Sequence, residues 1–289
     1  MNKAYDRLEW GFLEKVLKRL GFAEEWIRMV MQCITTVRYS FLINGKAKGY
    51  IAPTRGIRQG DPLSPFLFLL GTEAFSALLE DRANSGFLKG ITVCEGTPTI
   101  HHLLFADDSL LFGSASIEEC TNIRNVLLDY ERASGQKVNF EKGSIAFSKG
   151  VSPDQKIALA DILGVDIVEK HEKYLGLPMY LGKKRTETFS FIKEKLKKKI
   201  EGWQGKLLSS AGKELLIRVV AQALPSYAMS CFLLPKEFCD SLHQLCAKFW
   251  WGSSPKKKKI HWLSWDRLCI PKEEGGMGSK IYMLIIWLC

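Results

Sequence analysis

With 289 residues, 46% of them hydrophobic and 25% charged, the chain has the composition of one large or two ordinary folded domains, which excludes a disordered or fibrous polypeptide. The 41 basic against 31 acidic residues leave a formal charge of +10, pointing to a polyanionic partner, nucleic acid before an anionic membrane surface. The cysteines lack paired spacing and no charged-then-apolar signal segment opens the sequence, so reduced thiols in an intracellular protein are expected, nucleus or cytoplasm left open, with no apolar run near the roughly 18 residues that span a bilayer.

From Tyr5 to Cys33 the apolar residues Leu8, Phe12, Val16 and Leu20, then Trp26, Ile27 and Val30, keep helical spacing interrupted at Gly21, which predicts two helices. Phe41-Leu42-Ile43 before Asn44-Gly45 predicts a β-hairpin over Tyr39 to Tyr50, with Ala52 to Arg55 carrying its second strand onward. The loop Gly56 to Pro65 brackets Arg58 and Gln59 between Gly56 and Gly60 ahead of an apolar helix, Phe66 to Leu79. Such a loop exposes backbone N–H groups and lets a phosphate or sugar come close, although a plain loop leading into a helix reads the same way.

Leu103 to Phe112 holds Asp107 and Asp108 between two short apolar runs, the pattern of two strands joined by a tight turn with the carboxylates at its tip. Asp is a common turn residue, so the pair needs no chemistry. Two adjacent carboxylates backed by buried strands nevertheless repel each other, and a divalent oxygen-seeking cation such as Mg²⁺ resolves the conflict. Successive strand side chains point to opposite faces, which makes one of the pair, Asp107 by this reading, the principal ligand.

Gly90 to His102 reads as a strand, a turn and the approach to that hairpin. Ile117 to Ala133 is an amphipathic helix stopped at Gly135, and Lys137 to Ser148 alternates enough to predict a strand pair turning at Glu141-Lys142-Gly143. Strands joined through hairpins and interleaved with helices describe an α+β domain with an antiparallel sheet.

Beyond Pro178 the pattern becomes helical: Phe189, Ile192, Leu196, Ile200, Trp203 and Leu207 mark a long helix, Leu215 to Leu224 another up to Pro225, and Phe238, Leu242, Leu245 and Phe249 a third. Between Lys183 and Glu214 ten basic residues stand against four glutamates, which is either a solvated face or a surface tracking a phosphate backbone. Cys239, His243 and Cys246 share a helical face that suits core packing better than zinc, because no Cys-x-x-Cys accompanies them. The block Lys256 to Lys259 lies among Trp250, Trp251, Trp262 and Trp265, a mixture that fits single-stranded nucleic acid or a Trp-rich core.

Tyr5-Asp6-Arg7-Leu8-Glu9-Trp10, Gly56 to Pro65, Phe105-Ala106-Asp107-Asp108, Gly135-Gln136-Lys137-Val138-Asn139 with Lys142, and Tyr174-Leu175-Gly176 stand in the order and spacing of a non-long-terminal-repeat retrotransposon reverse transcriptase. The chain resembles the plant LINE type over nearly its whole length, the Trp-rich segment from Phe249 to Gly278 included. The resemblance implies a polymerase palm over residues 1–180, an all-helical basic thumb over 181–250, and a connector over 251–289 leading toward a zinc-binding segment that is missing, as are the fingers. It implies RNA-directed DNA synthesis with two Mg²⁺ ions, an RNA template, a DNA primer and deoxynucleoside triphosphates, no membrane and no obligate protein partner.

By the same resemblance Asp107 and Asp108 are the catalytic, metal-binding pair, and Tyr5 is the aromatic gate that favours deoxyribose. Arg58, Gln59 and Gly60 belong to the loop over the incoming nucleotide, and Lys142 lies near its phosphates. Tyr174, Leu175 and Gly176, with Lys195, Lys198 and Lys199, contact primer and template. The family's first motif places a third carboxylate four residues before the aromatic gate's own preceding position, which falls immediately ahead of Met1, so the chain by itself is expected to be an inactive fragment. The rival expectations are a non-catalytic nucleic-acid binder that retains the basic thumb and Trp-rich tail, and a pseudogene product with no function.

Overall fold

The structure, a computed structural model, describes residues 3–171, 173–182, 185–204, 208–252, 259–279 and 282. Lys183, Lys184, Lys206 and Leu207, the lysines 256–258 and most of the apolar segment 281–289 lie outside the described residues. The chain divides into two compact units, Met1–Lys170 and His171–Cys289.

The first unit opens with helices α1 (Ala4–Arg7), α2 (Trp10–Arg19) and α3 (Glu24–Thr35), the last two separated by Gly21 at φ +85°. The Asn44-Gly45 turn, both residues at positive φ, joins β1 (Tyr39–Ile43) to β2 (Lys46–Ile51); the second strand ends at Ile51, so Ala52 to Arg55 is loop. Helix α4 (Ser64–Asn84) starts with Pro65 in its first turn, and at a rise of about 1.5 Å per residue its 21 residues run roughly 30 Å. The hairpin β3 (His102–Phe105) and β4 (Asp108–Leu111) follows, then α5 (Ile117–Ser134), capped by the Ser116 hydroxyl and stopped by Gly135 in the left-handed region.

Two cores share α4. Its N-terminal half places Leu67 and Phe68 among Ala4, Leu8, Leu13, Leu17, Ile27 and Val30. Its C-terminal half places Phe75 and Leu79 against Val126, Leu127 and Tyr130 of α5, with Leu104 and Leu111 of the hairpin packed alongside. Helix α4 is therefore the common wall for the N-terminal motif and the two-aspartate hairpin.

The strand pair expected over Lys137 to Ser148 does not form. Glu131, buried on α5, accepts from the Val138 N–H (2.7 Å) and the Lys137 ammonium (2.9 Å), and Asn139 Oδ1 accepts from the Lys142 N–H. Side chains thus take backbone donors a ladder would need. Only β5 (Ser144–Ile145) remains, and it pairs in parallel with β6 (Asp166–Ile167) across α6 (Pro153–Leu163). The single antiparallel sheet is likewise replaced by separate two-stranded sheets, two antiparallel and one parallel among the described residues of this unit, a mixture of helix and strand compatible with the α+β class.

The second unit begins with β7 (Lys173–Tyr174) and β8 (Leu177–Pro178) and is otherwise helical: α7 (Arg185–Thr188), α8 (Ser190–Gln204), α9 (Ser210–Leu216) continuing as a π-turn to Ala221, α10 (Ser226–Cys231), α11 (Lys236–Trp251) and α12 (Trp265–Cys269). Its core is Phe189, just ahead of α8, with Ile192, Leu196 and Ile200 of α8 against Phe238, Leu242 and Phe249 of α11, the residues whose spacing marked those helices. No helix among the described residues is long and apolar enough to cross a membrane.

Candidate active site

The hairpin register pairs His102 with Leu111, Leu104 with Ser109 and Phe105 with Asp108, leaving Ala106 and Asp107 as the two-residue turn. Leu104 and Leu111 face inward while Leu103 and Phe105 stay exposed, the alternation a one-faced hairpin requires. Asp107 thus stands in the turn and Asp108 opens β4, both carboxylates exposed. Ala106 holds φ +50°, a left-handed conformation costing a non-glycine residue about 1 kcal/mol or more. At the base of the hairpin, His102 Nε2 and the Ser76 hydroxyl of α4 are 2.8 Å apart, and His101 Nδ1 meets His102 Nδ1 at 2.7 Å. Burial, with His101 beside it, holds His102 below the ordinary histidine value.

The second constellation gathers around Tyr5, whose ring stacks on Phe68 of α4 at 5.0 Å and 17°. Two distant segments fasten its backbone. From one side the Ile57 N–H donates to the Tyr5 carbonyl and the Gly56 N–H to the Leu8 carbonyl, both at 2.8 Å, while Trp10 Nε1 donates back to the Gly56 carbonyl. From the other, the Ser134 carbonyl accepts from the Glu9 N–H, and Gln136 Nε2 donates to the Ala4 carbonyl at 2.8 Å. Both glycines here lie at positive φ and have no room for a side chain: a Cβ on Gly56 would sit 2.7 Å from the Asp6 carbonyl oxygen, and one on Gly135 2.5 Å from Glu9 Cγ.

This clamp places Arg58 and Gln59, immediately after Ile57, along a cleft of about 460 Å³ that Asp6, Val37, Tyr39, Ile51 and the α4 N-terminus at Ser64 also line. Tyr5, Arg58, Gln59 and Gly60 are therefore held on one joined segment pair, and α4 links them to the aspartate hairpin: Phe68 and Phe75 are two helical turns apart, roughly 10 Å along the axis. Lys142 is exposed on the loop that Glu131 and Asn139 organise. Ser134 and Glu131 were not singled out from the sequence; Gly135 and Gln136 entered only as part of a motif, with no role of their own beyond a helix stop at Gly135, because their partners lie more than a hundred residues away.

In the second unit Tyr174 begins a two-residue turn, Leu175 at φ +51° and Gly176 at φ +79°, between β7 and β8. That hairpin lies beside α8: Lys173 Nζ and Lys195 Nζ both approach the Phe191 ring, at 5.9 and 5.6 Å. Lys195, Lys198 and Lys199, with Lys193 and Lys197, occupy the exposed side of α8. The Cys239, His243 and Cys246 face is core. His243 Nε2 accepts from the Tyr282 N–H at 3.2 Å and its ring stacks on Tyr282 at 4.8 Å and 4°, while burial pushes the Cys246 thiol up to about 11. Among the described residues no group of three or more His, Cys, Asp or Glu side chains could hold a metal ion. Of the four tryptophans named above, Trp250 and Trp265 pack on the core, whereas Trp262 is 75% exposed.

Comparison with known proteins agrees with these motifs. Residues 1–179 match the reverse transcriptase (RNA-dependent DNA polymerase) family. The chain belongs to the reverse transcriptase family. Within that family its likeness is to LINE-type, non-long-terminal-repeat retrotransposons. It is 26% identical over 288 residues to the transposon TX1 149 kDa protein of Xenopus laevis, covering 96% of this chain and 20% of that one. It is 26% identical over 192 residues to a Pol polyprotein of a type-2 retrotransposable element from Drosophila melanogaster, 66% of this chain and 16% of the relative. A putative ribonuclease H protein of Arabidopsis thaliana is 38% identical over 104 residues, 36% of this chain and 17% of the relative. This reverse transcriptase chain thus spans about a fifth or less of the length of these relatives.

Proposed function

We propose that the first unit is the palm, and the second the thumb and connector, of an RNA-directed DNA polymerase that joins deoxynucleoside triphosphates to a DNA primer along an RNA template. The observation that carries this reading is the placement of Asp107 and Asp108 at the exposed tip of a hairpin packed on the helix whose other end backs Tyr5. Two hard carboxylate donors suit Mg²⁺, which takes one or two protein carboxylates and fills its shell with water and phosphate oxygens. Bound there, Mg²⁺ would acidify the primer 3′-hydroxyl and offset the triphosphate charge. The Tyr5 ring, braced by Phe68, forms a wall where a ribose 2′-hydroxyl would have to fit. Arg58 and Gln59 offer donors to triphosphate and sugar oxygens, with Gly60 permitting close approach, and Lys142 offers an ammonium to the phosphates.

Among the described residues no third carboxylate gathers with Asp107 and Asp108, and on this reading the 289-residue chain alone is a weak or inactive polymerase. Primer extension on an RNA template with Mg²⁺ tests this, comparing the chain with a version lengthened upstream to supply a further carboxylate and fingers. Extension by the longer form alone, lost at least about a thousandfold in Asp107→Ala, is the expected result. Extension that survives Asp107→Ala in both forms would remove the assignment of the hairpin.

A second reading, nucleic-acid binding without catalysis, draws on the exposed lysines of α8 and the exposed Trp262. It requires neither metal nor a third carboxylate.

A further inference from the structure

Among the described residues, four hydrogen bonds from the Gly56–Ile57 and Ser134–Gln136 segments hold the backbone of the Tyr5 motif in place: from the Gly56 and Ile57 N–H groups, to the Ser134 carbonyl, and from the Gln136 amide. Three are made by backbone and persist through most substitutions. Gln136 alone contributes a side chain, and it is fully buried. It is also built in from its own side: the Gln136 N–H donates to the Ser134 hydroxyl at 3.1 Å, and that hydroxyl donates to the Tyr130 carbonyl at 2.6 Å. Its Oε1 has no hydrogen-bond partner, so the amide is kept inside for the one bond its NH₂ makes. Leaving a buried carbonyl unpaired is costly, so the Nε2 bond to Ala4 has to outweigh this if it is to hold the residue there.

We propose that Gln136 is a positioning residue for the sugar gate: it fixes the carbonyl just before Tyr5, and so sets how closely the Tyr5 ring meets the 2′ position of an incoming nucleotide. The proposal rests on the reading of Tyr5 as that gate. Gln136 touches no substrate; it acts through the Ala4–Tyr5 peptide. Tyr5 has the Ile57 N–H on its carbonyl side and Gln136 on its amide side. Removing the second leaves the ring anchored at one end and free to retreat from a ribose hydroxyl. Selectivity then falls by more than overall nucleotide binding does.

The test measures the affinity of deoxy- and ribonucleoside triphosphates for the chain on a primer–template, and the same ratio as kcat/KM in whichever form of the chain turns over. Gln136→Met, near in volume and without the donor, should lower the deoxy-to-ribo preference about fivefold to tenfold, the worth of one buried hydrogen bond, with little change in deoxynucleotide affinity. In a Tyr5→Ala background Gln136→Met should cause no further loss, because both changes act through one ring. If Gln136→Met fails to fold, Ser134→Ala, which frees the Gln136 N–H, should move the ratio the same way by a smaller factor. If Tyr5→Ala lowers the preference while Gln136→Met and Ser134→Ala leave it unchanged, Gln136 has no such role. If Tyr5→Ala itself leaves the preference unchanged, or no nucleotide binds, the gate reading fails first and takes the proposal with it.

Discussion

Ala106 is the residue on which the aspartate tip turns. Its φ of +50° serves the two-residue connection between β3 and β4, at the cost that any residue with a Cβ bears there. A β-branched side chain there clashes with its own backbone, so Ala106→Val should destabilise the first unit by about 1–2 kcal/mol in chemical denaturation. Ala106→Gly should be close to neutral, relief of strain offsetting the added freedom of the unfolded chain. Equal losses for both variants would mean that the methyl group itself packs against something essential. Leu175 has the same backbone conformation at the β7–β8 turn, so both short hairpins that carry proposed functional residues turn on a non-glycine residue at positive φ.

Whole elements show which kinds of information a sequence carries. The paired helices before Tyr39, the Asn44-Gly45 hairpin, the aspartate hairpin and the helices around Phe189 and Phe238 were legible, since each depends on periodicity or a turn signal within about fifteen residues. Lys137 to Ser148 misled because its alternation was real while its hydrogen-bond donors were claimed by Glu131 and Asn139. The clamp on the Tyr5 motif was invisible for a related reason: a glycine's spacing does not reveal what approaches it. Helix α11 illustrates a third case, in which periodicity located the face of Cys239, His243 and Cys246 but only packing against Tyr282 settled its use.

That face makes the helical unit acid-sensitive. Burial holds His243 below its ordinary value of 6.5, with Asp240 and Asp266 opposing, and its Nε2 is an acceptor that protonation would remove. The unfolded chain therefore binds a proton the folded one resists, and stability present above about pH 6.5 declines as pH falls toward the lowered value. Thermal melts between pH 7.5 and 5.5 should show a midpoint falling with acid, less steeply in His243→Gln. His102 contributes in the same direction in the first unit, so the difference between the two melts isolates His243. An unchanged acid slope in His243→Gln would show that His243 does not carry the acid sensitivity of this unit.

Across the whole molecule the charge excess is +10, and the exposed side of α8 displays five of its lysines. If Lys195, Lys198 and Lys199 each neutralise a phosphate, replacing all three by Gln should reduce the slope of log affinity against log salt by about 2 for single-stranded RNA. Asp107→Ala should leave that slope unchanged, which separates holding nucleic acid from copying it. A slope insensitive to the three lysines would relocate the binding surface to another part of the chain.

The bond from Gln136 to Ala4 joins residues 132 apart in the chain. At the usual 5–20 residues per second a ribosome takes on the order of 10 s to make that interval, during which the opening motif waits without its partner. Tyr5 is thus synthesised well before the residue that secures the peptide ahead of it. Until Gln136 emerges, the nascent protein carries an unsecured aromatic strip that a chaperone or a neighbouring chain could bind.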